Sequence, residues 1–170
     1  ILPEDSPTRL PGYTYISDFP DDRLIFGPNQ VGLFTVNKNL QDPVWLDSTI
    51  NRTALLLRNS VDGIVHASYD DVLRLGKLGA SKLSIDTTVT SFGFIPTGCV
   101  DPQNDHFILG TARGRWTVNY EDSTWTVIQD PVVGDGFIIS ALCLDQENRI
   151  WFASNKGLGV YNRTDTTVNF

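Results

Sequence analysis

The chain has 170 residues, of which 41% are hydrophobic and 19% charged, the composition of an ordinary globular domain with its own core. Its formal net charge is -7 at pH 7, its pI is near 4.6, and its 13 Lys and Arg residues are scattered. These values exclude the basic surface of a nucleic-acid-binding protein and argue against anionic membranes as partners.

The predicted strands come along the chain in four similar groups. Each group has an apolar strand, an Asp or Asn, two further apolar strands around a polar turn, and a short fourth strand. The Asp or Asn positions are Asp22, Asp62, Asp105 and Asn148, which lie 40, 43 and 43 residues apart. The first strands are YTYIS from Tyr13, ALLL from Ala54, FGFIPTGCV from Phe92 and IISALCL from Ile138. The fourth strands are PVWL from Pro43, KLSI from Lys82, TWTV from Thr124 and TVNF from Thr167.

This pattern predicts an all-β chain. Four-stranded antiparallel repeats of about 40 to 50 residues, apolar on both faces, are typical of β-propeller blades. We predict one domain over residues 1–170, with repeats at 13–47, 53–86, 92–128 and 137–170 and an N-terminal arm over 1–12. Three arrangements stay open: a closed four-bladed ring, two chains that complete a larger ring, and a part of a six- to eight-bladed parent.

Residues 123–170 resemble the propeller repeat of two-component regulator sensors. The matching positions are Trp125-Thr126-Val127, Asp145, Asn148, Trp151 to Ser154, Gly157 and Tyr161-Asn162. The third repeat resembles it through ILGTARG, and the first two repeats match more loosely. The resemblance implies a domain outside the cytoplasm that senses a ligand or binds a partner.

The segment GCVDPQNDHFILGT, residues 98–111, also resembles six-bladed gluconolactonase-like propellers. That family builds its metal site from a Glu near the N-terminus and from Asn and Asp of other blades. The Gly-Glu-Gly-Pro start of the family does not occur in this sequence, which argues against lactonase chemistry. An enzyme on a larger gluconolactonase-like or biosynthetic-cyclase propeller stays open as an alternative, with His66, Asp70 and Asp71 as candidate catalytic residues.

The chain begins with Ile1 and contains no Met, which we interpret as the mark of a processed polypeptide. Signal-peptide cleavage is the commonest such processing, so we expect a secreted or periplasmic protein. Asn-Arg-Thr sequons at Asn51 and Asn162 are candidate glycosylation sites. Cys99 and Cys143 occupy the same place in neighbouring repeats, which indicates a shared packing role.

The loops that join second to third strands emerge at one end of a propeller, where ligands usually bind. These loops differ from one another although the strands are alike, and they carry Arg and Lys, which can bind carboxylates or hydroxyls. The competing interpretation is a set of solvated turn residues with ordinary ion pairs. Candidate ligand-binding residues are Asn29, Tyr69, Asp70, Arg113, Arg115, Trp116, Asp135 and Lys156.

We therefore expect binding of a small molecule, a carbohydrate-like ligand or a protein partner without catalysis, or alternatively a structural role in assembly. No metal site, cofactor motif, nucleic-acid partner or membrane insertion is predicted. A second chain that completes a larger propeller is the remaining expected partner.

Overall fold

The computed structural model describes residues 15–19, 22–27, 32–48, 53–69, 71–79, 82–122 and 124–170. Within these residues all regular secondary structure is β-strand, and sixteen strands form four sheets. The prediction of an all-β propeller with four four-stranded antiparallel blades is confirmed. No helix in the described part of the chain is long and apolar enough to span a bilayer. The predicted arm over residues 1–12 lies outside the described residues.

Each blade is a simple antiparallel meander. Blade 1 contains β1 (Tyr15–Phe19), β2 (Arg23–Gly27), β3 (Leu33–Asn37) and β4 (Val44–Asp47). Blade 2 contains β5 (Thr53–Arg58), β6 (Gly63–Ser68), β7 (Val72–Leu78) and β8 (Leu83–Thr90). Blade 3 contains β9 (Thr97–Val100), β10 (Phe107–Thr111), β11 (Gly114–Glu121) and β12 (Thr124–Gln129). Blade 4 contains β13 (Ile139–Leu144), β14 (Ile150–Ser154), β15 (Gly157–Asn162) and β16 (Thr167–Asn169).

The first strand of blade 3 is shorter than the sequence pattern indicates. Backbone φ angles of 84° at Ser91 and 68° at Gly93 break the extended conformation, and Pro96 has no N–H to donate to a ladder. Phe92 and Ile95 are nevertheless buried and belong to the core between blades 2 and 3. The apolar character of this segment therefore reflects a buried loop before β9.

The repeating Asp or Asn marks one backbone conformation. Asp22, Asp62, Asp105 and Asn148 have φ angles of 60°, 64°, 57° and 61°, each in the turn that leads into the second strand. Asp and Asn tolerate the left-handed region better than other side chains except Gly. We call the end of the blades that carries these turns the lower face. Adjacent turns are bonded there, since Ser60 Oγ donates to Asp105 Oδ2 at 2.6 Å.

Successive blades pack face to face. The residue three positions after each Asp or Asn lies on the forward face of its blade, the face that meets the next blade. Ile25, Val65 and Ile108 occupy this position, and each belongs to an apolar cluster shared with the following blade. The corresponding residue of blade 4 is Trp151, which is only half-buried.

The first strands of neighbouring blades contact one another in the order β1, β5, β9 and β13. Among the described residues, no contact of similar extent joins β13 back to β1. The forward face of blade 4 is correspondingly open. On this face Leu158 is 64% exposed and Cys143 is exposed beside Trp151, its register partner. In the described part of the chain, the forward face of blade 4 is therefore an apolar sheet face that no following blade covers.

Candidate functional site

The upper face, opposite the lower-face turns, carries the loops predicted to bind a ligand. Its described parts are the β6–β7, β10–β11 and β14–β15 turns and the longer β8–β9 and β12–β13 loops. Asn29 and Asp70, two of the candidate ligand-binding residues, lie outside the described residues. The remaining candidates separate into an exposed group and a buried group.

An aromatic pair joins blades 2 and 3 on the upper face. The rings of Tyr69 and Phe94 stack with centroids 5.3 Å apart and an interplanar angle of 17°. Phe94 is 43% exposed, and its carbonyl accepts a hydrogen bond of 2.9 Å from the Ala112 N–H. That bond ties the β8–β9 loop to the β10–β11 turn. The pair therefore offers an accessible aromatic surface on a tethered backbone.

Arg113 and Asp135 are brought together through Gln129. Gln129 Nε2 donates to the Arg113 carbonyl at 2.9 Å and to Asp135 Oδ1 at 3.1 Å. The side chains of Arg113 and Asp135 are both exposed. One cationic and one anionic group thus lie at the same rim of blade 3, where they can bind hydroxyl or carboxylate groups.

Lys156 lies over the β12–β13 loop. Its Nζ is 3.7 Å from the centroid of the Phe137 ring, in cation–π geometry. Asn155 holds the loop in place, because its Oδ1 accepts from the Ile138 N–H at 2.9 Å and its N–H donates to the Ile138 carbonyl at 3.1 Å. The amine is therefore positioned beside an exposed loop rather than extended into solvent.

Arg115, which the sequence places in a turn, lies in β11 and faces the interface of blades 3 and 4. It is 5% exposed and forms an ion pair with Asp130. Asp130 Oδ1 also accepts from the Val133 N–H at 2.6 Å, so the pair anchors the β12–β13 loop. Burial lowers the pKa of Arg115 below its ordinary value, whereas neighbouring Tyr161 raises it. Because that ordinary value lies far above neutrality, the guanidinium stays charged.

Trp116 is half-buried and packs as part of the core. Its ring meets the edge of Phe92 with centroids 4.7 Å apart and an interplanar angle of 75°. Its Nε1 is buried and has no hydrogen-bond partner within the described ranges. Phe94, by contrast, offers an exposed aromatic surface to an upper-face ligand. The sequence pattern does not indicate Phe94 as a site residue because it lies in an irregular loop.

His66 is fully buried between blades 1 and 2. Its Nε2 lies 3.0 Å from Thr53 Oγ1, and Arg74 Nη1 lies 3.5 Å from its Nδ1. Burial, together with the nearby Arg74 charge, lowers the pKa of His66 from 6.5 to about 3. Asp71 is the last residue of the β6–β7 turn and has a φ of 62°, and its buried Oδ1 lacks a partner in the described part of the chain. These two candidate catalytic residues do not meet at an exposed site.

The remaining candidate residues are placed as follows. Asn162 ends β15, where its Oδ1 accepts from the Thr164 N–H at 3.0 Å, and Asn51 lies outside the described residues. Cys99 and Cys143 are free thiols. Over the described ranges, no group of three or more His, Cys, Asp or Glu side chains could hold a metal ion.

Comparison with known proteins identifies the fold. No protein-family model matches the chain, and no curated protein matches it. Among solved structures, the extracellular domain of the one component system BT4673 from B. thetaiotaomicron aligns with a TM-score of 0.64 and 19% identity. That alignment covers 90% of this chain and 22% of the BT4673 chain.

Two further structures show the same likeness. Dihydro-heme d1 dehydrogenase NirN aligns with a TM-score of 0.69 and 13% identity, over 94% of this chain and 36% of its own. The β-propeller domain of Myceliophteria thermophila Cps50 (Swd1) aligns with a TM-score of 0.66 and 10% identity, over 91% of this chain and 55% of its own. The chain thus spans between about a fifth and about half of these proteins. It has the β-propeller fold, and the resemblance to two-component-regulator propellers is confirmed at the level of that fold.

Proposed function

We propose that the chain is a binding domain outside the cytoplasm that holds a carbohydrate-like ligand at its upper face and performs no chemistry of its own. The observation that carries this proposal is the stacked Tyr69–Phe94 pair, in which Phe94 is 43% exposed. The similarity to an extracellular domain supports the location.

The chemistry of the upper face suits a sugar. An exposed aromatic ring can stack on the apolar face of a pyranose, and the ring hydroxyls then need hydrogen-bond partners around its edge. Arg113 supplies donors and Asp135 supplies acceptors at the neighbouring rim, both linked to Gln129. This combination of one aromatic surface and a few polar groups favours a small polar ligand over a large apolar one.

The test is binding of a panel of short neutral and uronic-acid oligosaccharides, measured by isothermal titration calorimetry. We expect Phe94→Ala to weaken binding of the best oligosaccharide by about tenfold or more, since loss of a stacking contact costs about 1 kcal/mol or more. Trp45→Ala is the matched control, because Trp45 is a similarly exposed aromatic residue, 48% exposed, on the outer strand of blade 1. Equal binding by both variants, or no binding by any oligosaccharide of the panel, would refute the proposal.

The open forward face of blade 4 favours a second function, assembly with a further propeller blade. Ile25, Val65 and Ile108 are 2%, 0% and 3% exposed under the next blade, whereas Leu158 on the corresponding face of blade 4 is 64% exposed. In the three internal interfaces, the forward face of a blade is covered by the rear face of the next four-stranded blade. We propose that a second chain supplies it.

Native mass tests this second function. We expect a mass near twice 18.9 kDa for the isolated chain, and a return to the monomer mass in Leu158→Lys. Val61→Lys is the control, because Val61 is 57% exposed in a lower-face turn of blade 2. A monomeric wild-type chain, or a dimer that Leu158→Lys leaves intact, would contradict the proposed assembly.

A further inference from the structure

A cavity of about 210 Å³ lies between blades 3 and 4, apart from the upper-face loops. About 10 to 15 Å³ is enough to hold one water molecule, so this space can hold a small organic ligand. It is lined by Asp101, His106, Ile108, Arg115, Thr117, Ile150, Tyr161 and Arg163. The side chains of His106 and Arg163 are 27% and 25% exposed, which opens the cavity towards the lower face.

Only one of the three nitrogens of the Arg115 guanidinium donates a hydrogen bond to a described residue. Its Nη2 donates to Asp130, and its Cζ lies 3.7 Å from the centroid of the Tyr161 ring. Its Nε and Nη1 are buried and have no hydrogen-bond partner among the described residues. A buried N–H group without a partner is unfavourable, so the cavity is adapted to an occupant that accepts hydrogen bonds.

The one carboxylate that lines the cavity, Asp101, is already engaged. Asp101, which is 1% exposed, accepts from the Gln103 N–H at 3.0 Å, from Asn104 Nδ2 at 3.0 Å and from Arg163 Nη2 at 2.5 Å. Burial raises the pKa of Asp101, but the hydrogen bonds from Arg163 and its neighbours outweigh that effect and lower it. Asp101 is therefore ionised and committed to Arg163, while the Arg115 N–H groups and the Thr117 hydroxyl stay available as donors.

Two isoleucines give the cavity an apolar wall. Ile108 and Ile150 are 3% and 2% exposed and belong to the cluster that joins blades 3 and 4. A ligand that fits both features has an anionic group for the donors and a short hydrocarbon part for the wall. Arg115 and Arg163 both line the cavity, and each is already ion-paired with a carboxylate, Arg115 with Asp130 and Arg163 with Asp101.

We propose that the cavity between blades 3 and 4 binds a small aliphatic carboxylate, whose oxygens accept hydrogen bonds from Arg115 and Thr117 and whose hydrocarbon part contacts Ile108 and Ile150. This site is separate from the oligosaccharide site proposed for the upper face. Charge-assisted hydrogen bonds to carboxylates are stronger than neutral ones, so the buried Arg115 guanidinium favours an anion over a neutral ligand.

The probes are sodium acetate and sodium butyrate, titrated at constant ionic strength against sodium chloride. Binding is followed by calorimetry and by backbone amide NMR shifts at Arg115, Thr117 and Tyr161. We expect saturable binding of both carboxylates, with butyrate tighter than acetate because it reaches the isoleucine wall. Thr117→Val keeps the shape of the side chain and removes one donor, so it is expected to weaken binding by about fivefold to tenfold.

Two more variants complete the test. Arg115→Gln combined with Asp130→Asn removes both buried charges together, which avoids an unpaired carboxylate, and it is expected to abolish binding. Arg58→Gln removes an equal charge from the exposed lower-face end of β5, away from both proposed sites, and is expected to leave binding unchanged. Chemical shift changes that chloride produces equally, sulfate binding as tight as acetate binding, or equal weakening by Arg58→Gln would overturn the proposal. Phe94→Ala is expected to leave carboxylate binding intact, so this result is independent of the oligosaccharide experiment.

Discussion

Asp105 provides a test of how adjacent blades are joined. Its φ is 57°, in the left-handed region, and its carboxylate accepts from the Ser60 N–H at 2.9 Å and from Ser60 Oγ at 2.6 Å. Asp105→Ala therefore removes two hydrogen bonds and also places alanine in a conformation it disfavours. Asp105→Gly removes the same bonds but fits the backbone.

The expected magnitudes follow from these two contributions. A net hydrogen bond at such a partly exposed site contributes about 0.5–1.5 kcal/mol, and the left-handed conformation costs a residue such as alanine about 1–2 kcal/mol. We expect Asp105→Ala to lower the free energy of unfolding by about 2–5 kcal/mol and Asp105→Gly by about 1–3 kcal/mol. Asp105→Asn keeps the backbone preference and one acceptor, so its loss should stay below about 1 kcal/mol.

Urea unfolding followed by tryptophan fluorescence measures these differences. Asp122, with a φ of 48° in the exposed β11–β12 turn, is the matched control for the backbone contribution alone. Asp122→Gly should be more stable than Asp122→Ala by about 1 kcal/mol in the free energy of unfolding. Equal stabilities of Asp105→Ala and Asp105→Gly would show that backbone conformation does not explain why Asp or Asn recurs.

Two further predictions use titratable groups in the blade interfaces. In the unfolded chain His66 binds a proton near pH 6.5, whereas in the folded chain it binds one only near pH 3. The free energy of unfolding should therefore fall as the pH decreases through that interval, by up to about 1.4 kcal/mol per pH unit. His66→Gln should remove this slope and His106→Gln should keep it; a slope unchanged in His66→Gln would contradict the assignment. Burial raises the pKa of Cys99 to about 11, so iodoacetamide at pH 8 should modify exposed Cys143 well before Cys99. Mass spectrometry after timed alkylation measures the rate of modification at each cysteine. Equal rates at Cys99 and Cys143 would show that the interface around Cys99 opens.

The repeat could be predicted from the sequence because its positions have physical requirements that few residues meet. The left-handed turn before each second strand favours Asp or Asn, which is why Asp22, Asp62, Asp105 and Asn148 recur. The strands between them must be apolar on both faces, because each blade is covered on two sides. Both requirements act locally, so a single sequence displays them.

The upper face could be predicted only in part, because loop backbones follow no period. The two-residue turn at Ala112 and Arg113 closes the pair Thr111 and Gly114, so β11 begins at Gly114 and Arg115 lies inside the strand. A shift of one or two residues in a turn decides which way a side chain points. Arg113 therefore lies in the turn at the exposed rim, whereas Arg115, two residues later, lies in β11 and lines the cavity between blades.

The paired cysteines show how position in the order of blades changes the role of an equivalent residue. Cys99 pairs in register with Ile108, and Cys143 pairs with Trp151, so both lie on forward faces. Cys99 packs against blade 4, whereas Cys143 is exposed because no described residue of a following blade covers it. The sequence predicts a shared packing role, and the structure provides the partner surface for only one of the two.

The same comparison explains why an apolar forward face on blade 4 points to assembly. Hydrophobic side chains on the forward face are buried by the next blade in each of the three internal interfaces. Burial of apolar surface stabilises a protein by about 25 cal/mol per Å². Leu158 and Trp151 occupy this face without such a blade, beside Cys143. A sheet face that ends in solvent would be expected to carry charged residues at these positions. Its apolar side chains therefore support the proposed assembly, in which the rear face of a further blade would cover them.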